Sequence, residues 1–99
     1  MNQIEKKTYI NILLDIYGEL LTTKQKNVME MYYRYDLSLS EIAENEKISR
    51  AAVSDLIKRV EVILDEYESK LCLYKKHSQI KDIIKNLDEE TKRKILELL

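Results

Sequence analysis

Arg50, Ala51, Ser54, Lys58 and Arg59, with Asp55 among them, are the residues whose types and spacing could organise recognition chemistry in this 99-residue chain. At the start of a helix lying in a DNA major groove, Arg50 or Lys58 would reach guanine or phosphate. Ala51, Ser54 and Arg59 would share the surface that faces the groove. The charge around them is balanced: between residues 38 and 60, Lys47, Arg50, Lys58 and Arg59 stand against Glu41, Glu44, Glu46 and Asp55. DNA affinity comes largely from phosphate neutralisation, so a module with no net charge binds DNA weakly by itself. The same arrangement can also serve as a packing unit or a protein-docking surface.

No other grouping points to catalysis, a cofactor or a metal. His77 is the only histidine and Cys72 the only cysteine, and the usual zinc spacings are absent. His77 falls three residues past the expected end of a helix and reads as exposed or helix-terminal. Cys72 lies between Leu71 and Leu73 and reads as a small buried residue without an activating histidine. Glu89 and Glu90 suit the first turn of a helix, where negative charge is favoured. No glycine-rich phosphate loop is present. The expectation is a non-enzymatic protein without catalytic, cofactor or metal residues. Seven tyrosines are many for the length, and Tyr32, Tyr33 and Tyr35 cluster. Core packing with the hydroxyls reaching water accounts for them. The alternative is an aromatic patch for a protein or RNA partner.

The elements that must position these residues are helices. Proline is absent and Gly18 is the single glycine, which disfavours the turns that sheets require. Tyr9, Ile12, Leu13, Ile16, Tyr17, Leu20 and Leu21 follow one face of a first helix. Gly18 within it suggests a close helix crossing. Thr22 or Thr23 can cap a second helix. Its apolar face is Val28, Met31, Tyr32 and Tyr35, and it ends near Asp36. Ser38 and Glu41 form a capping box that starts a short third helix at Leu39, burying Leu39, Ile42 and Ala43 and ending near Asn45. After a short link, Ser49 is the N-cap of a fourth helix. Ala43 is small where the two would meet, Ile48 can plug the gap, and Val53, Leu56 and Ile57 point inward. This is a helix-turn-helix.

The fourth helix meets no breaker until after Tyr74, about 25 residues or ~37 Å at 1.5 Å per residue. Val53, Ile57, Val60, Leu64, Tyr67, Leu71 and Tyr74 follow it at alternating steps of four and three, a heptad stripe. The stripe serves a monomer core. Its later part, Val60, Leu64, Tyr67, Leu71 and Tyr74, serves equally as the seam of a homodimer. Ser78 can cap a helix carrying Ile80, Ile83, Ile84 and Leu87, and Asp88 a last one. The expected organisation is a helix-turn-helix domain over residues 1–77 and a helical tail over 78–99 that packs on it or on a partner.

With 44% hydrophobic and 35% charged residues, the chain is apolar enough to fold and is not a disordered polyelectrolyte. Its net charge of −1 announces no polyanion binder. The charge is uneven: residues 61–74 are acidic and 75–99 mildly basic. A lone cysteine suits a reducing cytoplasm. The polar first residues lack the apolar core of a signal peptide, and no apolar run approaches a membrane span. The expectation is a cytoplasmic protein without a membrane partner.

The stretch from Leu21 to Leu64, LTTKQKNVMEMYYRYDLSLSEIAENEKISRAAVSDLIKRVEVIL, resembles region 4 of sigma-70-type factors. The flanks LLDIYGELLTTKQ and DEYESKLCLY extend the likeness, from about Tyr9 to Tyr74, to the YlxM family of small bacterial proteins. The resemblance implies an all-α, sigma-70 region 4-like helix-turn-helix with a long fourth helix and a C-terminal tail. It implies a regulatory or accessory role in the signal recognition particle pathway, with the particle or its receptor as partner. The alternative is a dimeric DNA-binding transcriptional regulator. Members of the family tend to read E-L-G-I-S where this chain has Asn45-Glu46-Lys47-Ile48-Ser49, so Lys47 replaces the glycine suited to a left-handed turn.

Overall fold

Each helix of the computed structural model, which describes residues 2–99, begins where a side chain satisfies the orphan amides, with one exception at the fifth. Asn2 caps α1 (Gln3–Tyr17), Thr22 caps α2 (Thr23–Tyr33) and Ser38 caps α3 (Leu39–Glu46), each in a capping box with the residue three positions on. Ser49 caps α4 (Arg50–Leu71) and Asp88 caps α6 (Glu89–Glu97). Between α4 and α6 lies α5 (Leu73–Ile84). No strand occurs among the described residues. Three helices, α1, α2 and α3, pack around α4, and their common core includes Leu13, Tyr17, Val28, Met29, Ile42, Val53, Val60 and Leu64, all nearly or fully buried.

The buried faces of α1 and α2 are rotated from those expected. Ile10, Leu13, Leu14 and Tyr17 go inward on α1, and Leu20 is exposed. Apolar residues surround that helix on most sides, so spacing alone does not choose among them. It stops at Tyr17 and tightens into a single 3₁₀ turn, Gly18–Leu20, as helix ends often do. Gly18 marks no close crossing: an added Cβ would meet only the Lys26 Cε, at an ordinary 3.6 Å. On α2, Val28, Met29 and Tyr33 are buried, while Tyr35 lies beyond the helix end and is exposed. The chain reverses there through Asp36 in the left-handed region, φ 56°.

The largest departure is the end of α4. It stops at Leu71, a length of roughly 33 Å. Cys72 then takes the left-handed conformation, φ 54°, and α5 turns back onto α1. Long-range bonds hold this elbow. The Tyr17 hydroxyl donates to Glu68 Oε1 at 2.7 Å and accepts from the Leu73 amide at 3.2 Å. The Glu68 carboxylate accepts from the Tyr74 and Lys75 amides at 3.0 and 3.1 Å. A carboxylate from the previous helix thus replaces the missing N-cap of α5. Ser78, expected to start a helix, lies within α5, and so does the expected division between residues 77 and 78. His77 is likewise inside α5 and half-buried. The molecule is elongated, 50 × 26 × 25 Å, and α6 buries none of its residues.

Candidate nucleic-acid interface

The site is built on the α3–turn–α4 unit. Ser38 Oγ accepts from the Glu41 amide at 3.0 Å, and Glu41 Oε1 accepts from the Ser38 amide at 2.9 Å. These bonds hold the Glu41 carboxyl below its ordinary range, so it is charged as the cap requires. Ile42 and Ala43 seat α3 against α4. The turn closes with Lys47 at φ 57°, ψ 42°, and the Ile48 amide donates to the Ala43 carbonyl at 3.1 Å. That is the glycine-type helix ending made with a lysine. Ile48 packs against the core between the two helices. Ser49 Oγ then accepts from the Ala52 amide at 3.0 Å and starts α4.

One face of α4 is now committed inward by Val53, Ile57, Val60 and Leu64. Its opposite face is bare. Arg50, Ala51, Asp55, Lys58 and Arg59 are exposed and Ser54 is half-buried. Among the described residues, Lys47, Arg50, Lys58 and Arg59 have no carboxylate partner, a condition they share with Lys24, Lys70, Lys75, Lys76 and Lys81, while Lys6, Lys7, Lys26, Arg34, Lys85, Lys92, Arg93 and Lys94 are paired. Lys47 and Arg50 therefore stand at the positive end of the α4 dipole, which attracts anions, and Lys58 and Arg59 lie about two turns further along the same exposed face. Asp55 is also unpaired on this surface and repels anions.

The residues expected as a dimer seam are not a continuous surface. Val60 and Leu64 are fully buried within the same chain. Tyr67 packs on Tyr17, ring centroids 5.7 Å apart. Tyr74 belongs to α5 and meets the edge of Tyr9 at 5.7 Å. Only Leu71 remains open, at 44% exposure. The heptad stripe is spent on the core because α1 and α2 wrap its first part and the Cys72 elbow ends it.

A groove beside the α4 face has no signal in local spacing. Lys6 on α1 and Tyr32 and Tyr33 on α2 border it opposite Ser54 and Lys58. Lys6 is about fifty positions from them along the chain, so no local spacing could reveal the neighbourhood. Elsewhere, no three His, Cys, Asp or Glu side chains among the described residues are grouped to hold a metal ion. No helix is long and apolar enough to cross a membrane.

An α3–turn–α4 unit with a buried inner face and a bare outer face defines a helix-turn-helix protein. Residues 4–98 match the family described as "Putative helix-turn-helix protein, YlxM / p13 like", and the chain belongs to that family. It is 50% identical to the UPF0122 protein YlxM of Bacillus subtilis, over 87% of this chain and 78% of that one. Similarity to a UPF0122 protein of Clostridium kluyveri is 47%, over 97% and 79%. A UPF0122 protein of Anoxybacillus flavithermus is 45% identical, over 96% of each chain.

Proposed function

We propose that this chain is a non-enzymatic regulatory protein that binds double-stranded DNA through the outer face of α4. The observation that carries this reading is the bare face itself, which gathers Lys47 and Arg50 at the helix start and Lys58 and Arg59 about two turns along, none of them in an ion pair. A surface kept for packing within the chain would be covered, and this one is exposed. In this reading Arg50, Ala51 and Ser54 would meet base edges, and Lys58 and Arg59 would meet phosphates. Because Val60 and Leu64 are buried, the α4 stripe supplies no two-fold seam, and recognition by a single module is the simpler arrangement.

The test is selection of genomic fragments on immobilised full-length protein at physiological salt. An enriched set sharing a motif is expected. Lys58→Ala with Arg59→Ala should then weaken binding and flatten the salt dependence by about 0.9 per lost phosphate contact. Binding no tighter than about 10⁻⁴ M, with no enriched fragment, overturns the reading. The signal recognition particle and its receptor, the partners that the family resemblance implies, would then be the next ligands to assay.

A further inference from the structure

The groove beside α4 runs on past Lys6, along the first turns of α1, to Lys7 near the end of α2. We propose that it is a second phosphate track, which takes the backbone of a duplex whose major groove is occupied by α4. The inference rests on the DNA reading of α4 and extends it to residues outside the helix-turn-helix. Continuity supports it first. Ser54 and Lys58 belong both to the outer face of α4 and to the groove wall, and Lys6 stands opposite them. A backbone leaving the α4 face at Lys58 meets Lys6 next and Lys7 beyond it.

Charge supports it second. The acidic groups in the groove are already occupied. Glu61 pairs with Lys6 at 3.1 Å and accepts the Tyr33 hydroxyl, while Asp36 pairs with Lys7. Lys6 retains 49% side-chain exposure against 17% for Glu61, so at that pair the cation faces the open groove more than the anion does, whereas Asp36, at 70%, is more open than Lys7, at 43%. The third support is need. Residues 38–60 carry no net charge, so a module that neutralises phosphates must draw cations from elsewhere in the fold. The first turns of α1 supply them at the edge of the recognition surface.

The proposal is tested by measuring duplex affinity of the full chain between 50 and 200 mM salt, using an enriched fragment and an unrelated one. Lys6→Ala with Lys7→Ala should reduce the salt slope by about 1.8, two phosphates' worth, and weaken both duplexes to the same degree. Glu61→Gln keeps an acceptor for the Tyr33 hydroxyl and releases Lys6. It should tighten binding about two- to fivefold, the worth of a half-exposed ion pair. If Lys6 merely braces the fold through Glu61, the same substitution leaves binding unchanged or weakens it, and that result overturns the proposal. An unchanged salt slope in a folded Lys6→Ala, Lys7→Ala protein overturns it too. If the double variant does not fold, Glu61→Gln decides alone. Should the unaltered chain bind no duplex, the α4 reading and the track fall together. Should it lose binding on Lys58→Ala and not on Lys6→Ala with Lys7→Ala, only the track falls.

Discussion

Lys47 holds a backbone conformation that glycine adopts freely and a side-chain-bearing residue adopts at a cost of about 1–2 kcal/mol. The reward is a closed helix ending, with the Ile48 amide bonded to the Ala43 carbonyl. Lys47→Gly relieves the steric cost, although it loosens the unfolded chain. The expected outcome is a gain of about 0.5–1 kcal/mol in urea unfolding, with an unchanged urea slope. A loss of stability would mean that the lysine side chain contributes contacts beyond the turn. Tyr33 is a different kind of residue. Burial first, then its bond to Glu61, raises its phenol far above the ordinary value, so it stays protonated and remains a donor. Tyr9 is similarly pushed up to about 12, by burial and by Asp65.

Among the elements, the α4–α5 elbow is the part with a pH dependence that can be assigned. Burial alone would raise the Glu68 carboxyl. The Tyr17 hydroxyl and the Tyr74 and Lys75 amides outweigh it, and the group lies below its ordinary value. A depressed folded-state value means that the stabilisation is present above the unfolded value, about 4.3, and is lost as pH falls through the folded one. The Tyr74 and Lys75 amides should therefore be protected from exchange at neutral pH and open on acidification below that range. In Glu68→Gln they should exchange about tenfold faster at pH 7, the equivalent of one charge-assisted bond. Equal exchange in the two proteins would show that the elbow is held by other contacts. A second element-scale outcome concerns the α4 stripe. Leu64→Ala should cost about 2–5 kcal/mol and Leu71→Ala less than about 1, since the first is fully buried and the second is open. Comparable costs in denaturant titrations would contradict the core assignment.

At the scale of the whole molecule, stability is concentrated at one end of a 50 Å body. The core is shared by α1 to α4, and α5 leans on α1 through Tyr74 and Tyr9. The last helix, α6, contributes no buried residue and is braced mostly by ion pairs within its own turns. Such exposed pairs are worth little each. Removing residues 88–99 should therefore shift the thermal midpoint by less than about 4 °C and leave the near-ultraviolet signal of the tyrosines intact, since all seven precede residue 75. A large fall would show that α6 covers part of the core. Exposed Ile83, Leu98 and Leu99 mark the same end as the least satisfied part of the surface.

Features that arise within a few residues were legible along the chain. Ser38 with Glu41, Ser49 and Asp88 cap helices because each cap needs only an oxygen at one position and an amide three further on. The α3–turn–α4 unit followed from those caps, from small Ala43 and from apolar Ile48. The inner residues of α4 as far as Leu64 were legible from their spacing, and so was the absence of strands from the lack of turn formers. Features that depend on distant partners were set by packing. Which side of α1 and α2 goes inward was settled by packing, because both carry apolar residues around much of their circumference. Cys72 breaks α4 without glycine or proline because Tyr17 and Glu68, over fifty and four positions away, hold the next amides in place. The heptad stripe became core rather than seam for the same reason: three other helices reached it first. Lys6 came to stand beside Lys58 only when α1 folded along α4, a neighbourhood that no spacing in the chain encodes.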